Sequence, residues 1–173
     1  MKKKYHPWAR YRHSVGLTQA EVANKLYVTR HYVIRLEQSL YSDPDRLLVI
    51  KLAEMYGVEV GIFQEAYYQY VRDTREEFAK THESFETYFR YGNPFPKLHP
   101  LISYRRSYDL SRMGFCKGLC LHYNPMSNWE VNDQRHIPEQ LIAACKEINW
   151  KTEPLDEMMK NWRHDGYADA IHR

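Results

Sequence analysis

The sequence has no run of eighteen apolar residues, and no apolar segment follows the basic start Met1–Lys4. A membrane-spanning helix needs about twenty apolar residues, and a signal peptide needs a shorter apolar core. The sequence therefore predicts a soluble, cytoplasmic protein. Cysteine is scarce as well: there are three, an odd number, and all lie in the last third of the chain. This argues against the disulfide framework of a secreted domain.

Motifs for catalysis or cofactor binding are absent from the sequence. It contains no Cys-x-x-Cys pair, no His-Glu-x-x-His, no glycine-rich phosphate loop and no nucleophile elbow. The spacing of Cys116, Cys120, His122 and Cys145 matches no common zinc site, and a free cysteine behaves as a small hydrophobe. We therefore expect core cysteines, no cofactor, no metal and no enzymatic activity.

The charge of the chain is small but unevenly distributed. The net charge is +3 overall, while residues 1–60 carry ten Lys/Arg against six Asp/Glu. Residues 61–95 carry four against six, and residues 96–173 carry eleven against ten. The basic excess in the first third is typical of a nucleic-acid-binding surface, although an excess of this size also occurs in ordinary globular domains.

Residues 16–40 predict two short helices joined by a tight turn. Thr18 and Glu21 have the spacing of a capping box for the first helix, and Thr29 can cap the second. Flanking helices are predicted at 7–15 and from about Pro44 to Met55. The candidates for burial in the latter are Leu47, Leu48, Ile50, Leu52, Ala53 and Met55. The second helix of the pair turns Val33 and Leu36 inward, which leaves four residues outside: Arg30, His31, Ile34 and Arg35. A projecting helix with basic side chains fits the major groove of DNA.

The segments LTQAEVANKLYVTRHYVIRLEQ and DPDRLLVIKLAEMYGVEV closely resemble the Cro/cI-type helix-turn-helix domain, also called XRE-like or lambda-repressor-like, of phage repressors and bacterial regulators. The resemblance covers about Trp8–Val60. It implies a bundle of about five helices, a double-stranded DNA operator as partner, and a place in a bacterial cell or a phage-infected host. Two residues depart from the pattern: Tyr27 stands where glycine is frequent, and Tyr32 where a small polar residue is common.

The resemblance also implies roles for particular residues. Thr18 and Gln19 would open the helix that crosses the DNA backbone, with Gln19 contacting a phosphate or a base. Glu37 would take part in an internal ion pair or hydrogen bond. The remaining DNA contacts would come from the start and outer face of the recognition helix: Thr29, Arg30, His31, Ile34 and Arg35.

Residues 61–91 predict a long amphipathic helix, with a possible break near Asp73-Thr74. Its apolar face is aromatic rather than leucine-rich, so a standard coiled coil is not expected. Two interpretations are open: a helix that packs on its own domains, or a dimerisation helix. Tyr91–Pro96 contains two prolines and a glycine and predicts a linker.

An internal repeat relates residues 6–37 to residues 99–130. At an offset of 93 residues, eight of 32 positions are identical: His6/His99, Pro7/Pro100, Tyr11/Tyr104, Arg12/Arg105, Ser14/Ser107, Leu17/Leu110, Leu26/Leu119 and Glu37/Glu130. The sequence therefore predicts an all-α chain of two lambda-repressor-like bundles, a tandem repeat joined by a long amphipathic helix. The predicted domains are 1–60, a connector at 61–97, and a degenerate second domain with a C-terminal helix at 98–173.

The second copy differs where DNA contacts would lie. Pro125 restricts its third helix to a start near Asn124, and the cations of the first copy are replaced by neutral residues. Four residues remain candidates for DNA contact: Arg112, Asn124, Ser127 and Asn128. The alternative is a scaffold or protein-contact module. Further helices are predicted at 138–150 and 154–163.

These patterns predict a sequence-specific transcriptional regulator of phage or prophage repressor type. Such domains usually act as pairs, so we expect a homodimer, with an intrachain pseudo-dimer as the other arrangement. A second hypothesis is a helix-turn-helix scaffold used for protein binding, as in an antitoxin, an anti-CRISPR protein or a polymerase-modulating protein. The poor second copy and the many tyrosines favour that hypothesis, with a protein partner at the second domain or the aromatic connector.

Overall fold

A computed structural model of the chain describes residues 5–38, 45–131 and 136–162, with the backbone alone at Asn124 and Val131. All regular structure in these residues is helical, which confirms the predicted all-α class. None of the described helices is long and apolar enough to cross a membrane.

Eleven helices are present in the described residues: α1 (Pro7–Ser14), α2 (Gln19–Leu26), α3 (Arg30–Gln38), α4 (Arg46–Tyr56), α5 (Val60–Thr81), α6 (Phe85–Tyr88), α7 (Pro100–Ser107), α8 (Arg112–Leu119), α9 (Tyr123–Val131), α10 (Glu139–Glu147) and α11 (Glu153–Asn161). The chain divides into two compact units, Met1–Asp73 and Thr74–Arg173. We call them the N-terminal unit and the C-terminal unit.

The N-terminal unit is built around an aromatic cluster. Trp8 of α1 stacks on Phe63 and Tyr67 of α5, with ring centroids 6.0 and 5.3 Å apart. Tyr56 at the end of α4 lies 5.8 Å from Phe63. Such pairs add about 0.5–1.5 kcal/mol each beyond their buried area. The cluster packs α1, α4 and α5 against one another.

The C-terminal unit has a larger core that includes the last part of α5. Phe78 of α5 packs edge-on against Phe115 of α8, with ring centroids 6.1 Å apart. Arg75 is buried: its Nε donates to the carbonyl oxygen of Leu119 at 2.9 Å, and its Nη1 pairs with Glu147. The guanidinium thereby donates to a carbonyl in the last turn of α8, where helix carbonyls lack intrahelical partners.

Helices α1 and α7 are each preceded by a buried histidine cap. Nδ1 of His6 accepts the backbone N–H of Trp8 at 3.3 Å, and Nδ1 of His99 accepts that of Leu101 at 3.3 Å. Burial lowers the pKa of each imidazole to about 4, so both rings are neutral at pH 7. A proline follows each histidine at the first helical position, where its missing N–H costs nothing.

The single helix predicted over residues 61–91 was wrong in extent. The helix predicted over 61–91 ends at Thr81, and Ser84 caps the short α6 by accepting the N–H of Thr87 at 3.4 Å. No break occurs at Asp73-Thr74, where α5 is continuous. The aromatic face is buried inside the units, as Phe63, Tyr67, Phe78 and Phe85 show. This finding agrees with the interpretation of a helix packed on its own domains.

The buried face of the fourth helix was predicted only in part: Leu52 and Ala53 are buried as expected. Leu47 was expected in the core but is 68% exposed, whereas Val49, which was not expected there, is buried. The run of apolar residues in α4 has no clear helical period, so the sequence does not indicate which face turns inward. The helix begins at Arg46 and is capped by Asp45. The start predicted near Pro44, the basic Met1–Lys4 segment and the tail from 163 onwards lie outside the described residues.

Candidate nucleic-acid interface

The helix pair α2–α3 is set by its caps and its turn. Thr18 and Glu21 form the predicted capping box: the Thr18 N–H donates to the Glu21 carboxylate at 2.7 Å, and the Glu21 N–H donates to Oγ1 of Thr18 at 3.2 Å. Thr29 caps α3 by accepting the N–H of Tyr32 at 3.2 Å. The sequence predicted both caps correctly.

Tyr27 forms the turn between the two helices in a left-handed conformation, with φ 55° and ψ 42°. A non-glycine residue in this region costs about 1–2 kcal/mol. The tyrosine side chain is 97% exposed, so no internal packing offsets this cost. The turn predicted from the resemblance therefore forms with tyrosine where glycine is frequent.

Helix α3 presents its basic residues to solvent. Val33 and Leu36 are buried as predicted, Ile34 is half-buried, and Arg30, His31 and Arg35 are exposed. Within the described part of the chain, no hydrogen bond or ion pair engages these three basic side chains. Their donors are thus available to a partner molecule.

A buried ion pair fixes α3 to α1. Nε and Nη2 of Arg12 donate to the two carboxylate oxygens of Glu37 at 2.5 and 3.0 Å, and Nη1 of Arg12 donates to the Leu17 carbonyl at 2.8 Å. Burial opposes ionisation of Glu37, but the hydrogen bonds from Arg12 and Gln19 prevail and lower the pKa of the carboxyl. The predicted internal role of Glu37 is confirmed.

Gln19 connects this ion pair to the surface. Its Nε2 donates to Oε2 of Glu37 at 2.9 Å, and the residue is half-buried at the first position of α2. An open depression runs from the end of α1 to the first residue of α3, and Arg12, His13, Thr18, Gln19 and Arg30 are among its lining residues. The structure thus brings three of the predicted site residues, Thr18, Gln19 and Arg30, to one concave surface.

The spacing of helix starts recurs in the C-terminal unit. The five helices that begin at Pro7, Gln19, Arg30, Arg46 and Val60 have counterparts that begin 93 residues later, at Pro100, Arg112, Tyr123, Glu139 and Glu153. The left-handed turn residue also recurs, as Cys120 with φ 54° and ψ 48°. Cys120 is fully buried, whereas Tyr27 is exposed.

The buried ion pair recurs with an additional arginine. Nε and Nη2 of Arg105 donate to the two oxygens of Glu130 at 2.7 and 2.9 Å. Arg112, at the position of Gln19, also donates to Glu130 at 3.0 Å and to Oγ of Ser127 at 3.1 Å. Two candidate DNA contacts of this unit, Arg112 and Ser127, are therefore bonded to each other. Asn128 is exposed, and the Asn124 side chain lies outside the described residues.

All three cysteines lie in the core of the C-terminal unit, as expected. Cys116, Cys120 and Cys145 are free and at most 2% exposed, and burial raises the pKa of each thiol to about 12. The described residues contain no group of three or more His, Cys, Asp or Glu placed to hold a metal ion.

Comparison with known proteins gives one match. Residues 9–63 match a family model described as helix-turn-helix, which is a DNA-binding regulatory family rather than an enzyme family. The match covers about a third of the chain. No curated protein and no solved structure matches the chain significantly. The family match, the capped α2–α3 pair and the buried ion pair together support an XRE-like helix-turn-helix domain at residues 9–63, of the kind found in DNA-binding regulators.

Proposed function

We propose that this chain is a sequence-specific transcriptional regulator of the phage or prophage repressor type. Helix α3 enters the major groove, with Arg30, His31, Ile34 and Arg35 towards the base edges. Thr18, Gln19 and Thr29 hold the DNA backbone at the starts of α2 and α3. The observation that carries this proposal is the exposure of three basic side chains on α3, none with a partner among the described residues.

The chemistry of these side chains suits base readout. An arginine can donate two parallel hydrogen bonds to guanine O6 and N7, and such a pair discriminates against other bases by about 1–3 kcal/mol. The Arg12–Glu37 pair and the bond from Gln19 fix α3 relative to α2. A fixed helix loses little entropy when it binds, so its contacts contribute to affinity and register.

We also propose the domain organisation predicted from the sequence: a DNA-binding domain at 1–60, a connector at 61–97 and a degenerate second copy at 98–173. The recurring helix starts, histidine caps and arginine–glutamate pairs support the second copy. Helix α9 contains no Lys, Arg or His, which supports a single base-reading head in each chain.

Two chains form the active unit in this proposal, since such domains usually bind two-fold sites. The aromatic face of α5 is already buried within the units, so the homodimer uses another surface. Sedimentation of the protein alone and with operator DNA tests this point. A single chain bound to each operator would contradict the homodimer and favour the intrachain pseudo-dimer.

The double variant Arg30→Ala/His31→Ala tests base recognition. Operator DNA is first selected from random fragments with the wild-type protein. We expect the variant to lose specific binding, with its affinity for the operator falling to that for mixed-sequence DNA at the same salt concentration. The control is Lys51→Ala/Arg72→Ala, which removes two exposed cations from α4 and α5. Operator binding by the Arg30/His31 variant at wild-type affinity would refute the assignment.

A second candidate is a protein-binding module, such as an antitoxin, an anti-CRISPR protein or a polymerase modulator. The exposed side chain of Tyr27 at a strained turn favours it, because an exposed aromatic suits a protein contact. The two candidates differ in salt dependence. For a DNA-binding protein, the logarithm of the affinity for DNA decreases linearly with the logarithm of the salt concentration. A protein-binding module would select no DNA motif, and its affinity for DNA would depend little on salt concentration.

A further inference from the structure

We infer that the C-terminal unit is a backbone clamp: it binds the phosphates of duplex DNA through Arg106 and Arg112 without recognising base sequence. This inference rests on the proposed function. It adds to the base-reading helix a second DNA contact whose strength does not depend on sequence.

The position of the two arginines follows from the shared helix frame. His13 and Gln19 line the depression of the N-terminal unit, and Arg106 and Arg112 occupy the same positions 93 residues later. The frame around them is preserved, because Arg105 donates Nη1 to the Leu110 carbonyl at 3.2 Å, as Arg12 does to Leu17. The C-terminal unit therefore places two permanent cations where the N-terminal unit has a histidine and an amide.

The charge of the recognition helix differs in the opposite sense, since α9 is less positive than α3. Helix α3 carries Arg30, His31 and Arg35, whereas its counterpart α9 carries no cation, and Tyr123 replaces Arg30. Base readout needs donors and acceptors on the helix that enters the groove, while phosphate binding needs cations beside it. Relative to the N-terminal unit, the C-terminal unit lacks cations on the helix that would enter the groove and carries additional cations beside it.

Arg112 is held in place for such a contact. Its Nε and Nη1 donate to Glu130 and Ser127, and its guanidinium lies 5.9 Å from the centre of the Tyr123 ring. A guanidinium has five N–H donors, so donors remain after these two bonds. The side chain is 25% exposed. An ordered arginine loses less entropy when it binds a phosphate than a mobile lysine does.

Arg106 is exposed, and no ion pair with a described residue neutralises it. One carboxylate, Asp109, lies at the position of Gly16 and opposes the two arginines. Arg105, Arg106 and Arg112 set against Asp109 and Glu130 still leave one net positive charge. This modest excess suits a weak phosphate contact that supplements a specific one.

The variant Arg106→Gln/Arg112→Gln tests the clamp in the full chain. Glutamine at 112 reproduces the residue that bonds to Glu37 in the N-terminal unit, so the hydrogen bond to Glu130 can be kept while the charge is removed. We expect affinity to fall about tenfold at moderate salt, equally for selected operator and mixed-sequence duplex. The slope of log affinity against log salt should decrease by about two, or about 0.9 for each lost phosphate contact.

The matched control removes two other exposed cations of the same unit, Lys117→Gln/Lys146→Gln, and should leave the salt slope unchanged. Arg106→Gln alone should give half of the decrease in salt slope. Because Arg106 is exposed, this variant does not disturb the packing around Glu130. An unchanged affinity and slope in the Arg106/Arg112 variant would overturn the clamp, as would a selective loss of operator binding. The Arg30→Ala/His31→Ala variant tests the proposed function separately. A full chain that binds neither selected operator nor mixed-sequence duplex would overturn both the proposed function and the clamp.

Discussion

Each unit contains a glutamate that is buried and paired with arginine, but the two glutamates are held in different ways. Glu37 is paired with one arginine and with Gln19, so the cluster is neutral overall. Glu130 is paired with two arginines, is fully buried and leaves a net positive cluster. Glu37 links α3 to α1, and Glu130 links α9 to α7 and α8. The two carboxylates therefore connect helices in a similar way, although the net charge around them differs.

The units also differ near the ends of α2 and α8. In the C-terminal unit, Gly118 leaves room for Phe78, and a Cβ built on this glycine would lie 2.0 Å from Cδ2 of that ring. The corresponding residue of the N-terminal unit is Lys25, which is exposed. Two residues later, Cys120 is buried whereas its counterpart Tyr27 is exposed. One unit therefore packs a surface that the other leaves to solvent.

Removing the buried carboxylate should produce the largest effect on stability. We expect Glu130→Gln to destabilise the C-terminal unit by about 3–5 kcal/mol, because two guanidinium groups then lack a counter-charge. Glu37→Gln should cost the N-terminal unit less, since a single arginine is affected. Unit-resolved hydrogen exchange measures both variants. A larger loss for Glu37→Gln would contradict the role assigned to the second arginine.

Acid should destabilise both units through their histidine caps. The folded-state pKa of His6 and His99 is about 4, against 6.5 for the free side chain. Between pH 6.5 and 4 the unfolded chain therefore binds protons that the folded chain does not. The free energy of unfolding consequently decreases as the pH is lowered through this range. The loss amounts to about 3 kcal/mol for each histidine once pH 4 is reached. The lowered pKa of Glu37 removes further stability from the N-terminal unit at still lower pH.

Asparagine variants separate the two contributions. Asn is a good helix cap and does not titrate in this range. We expect His6→Asn to flatten the pH dependence of the N-terminal unit alone, and His99→Asn that of the C-terminal unit alone. Unit-resolved exchange between pH 7 and pH 4 provides the measurement. An unchanged profile in both variants would assign the acid sensitivity to other groups.

Adding one methyl group should distinguish the ends of α2 and α8. We expect Gly118→Ala to destabilise the C-terminal unit by about 1–3 kcal/mol, because the new Cβ overlaps the Phe78 ring. Lys25→Ala, its matched control, should change stability by less than about 0.5 kcal/mol. Thiol labelling in urea reports on the C-terminal unit, which holds every cysteine. Equal stability of the two variants would show that α5 does not need the glycine.

The smallest expected effect concerns the turn residues. Tyr27→Gly should stabilise the N-terminal unit by up to about 1 kcal/mol, since it relieves the left-handed conformation without loss of packing. Cys120→Gly relieves the same strain but removes a fully buried side chain, so its net effect should be destabilising. Urea denaturation compares the two. A loss of stability in Tyr27→Gly would mean that the tyrosine contributes to the fold.

Much of the helix-turn-helix unit could be predicted from sequence because its signals are local. The capping box of Thr18 and Glu21, the cap at Thr29 and the inward Val33 and Leu36 depend on residues three or four apart. The offset of 93 residues depends only on identities, and the helix starts follow it. Whether the helix-turn-helix is duplicated is still a prediction.

The features that sequence did not indicate depend on distant partners. The residues around Gly118 do not indicate that Phe78, forty residues earlier, packs against it. The same is true of the hydrogen bond from Arg75 to the Leu119 carbonyl. The bond of Arg112 to Glu130 depends on the packing of α8 against α9. The histidine caps had a visible signal, the repeated His-Pro dipeptide, but its meaning depends on burial.

The central claim is that each chain has one base-reading helix, α3, and that α9 does not read bases. The most direct measurement is the ratio of operator affinity to mixed-sequence affinity for Arg30→Ala/His31→Ala and for Asn124→Ala/Asn128→Ala, at one salt concentration. We predict that the first variant brings this ratio close to one and that the second leaves it at the wild-type value. A collapse of the ratio in the α9 variant, with the α3 variant unaffected, would contradict the claim.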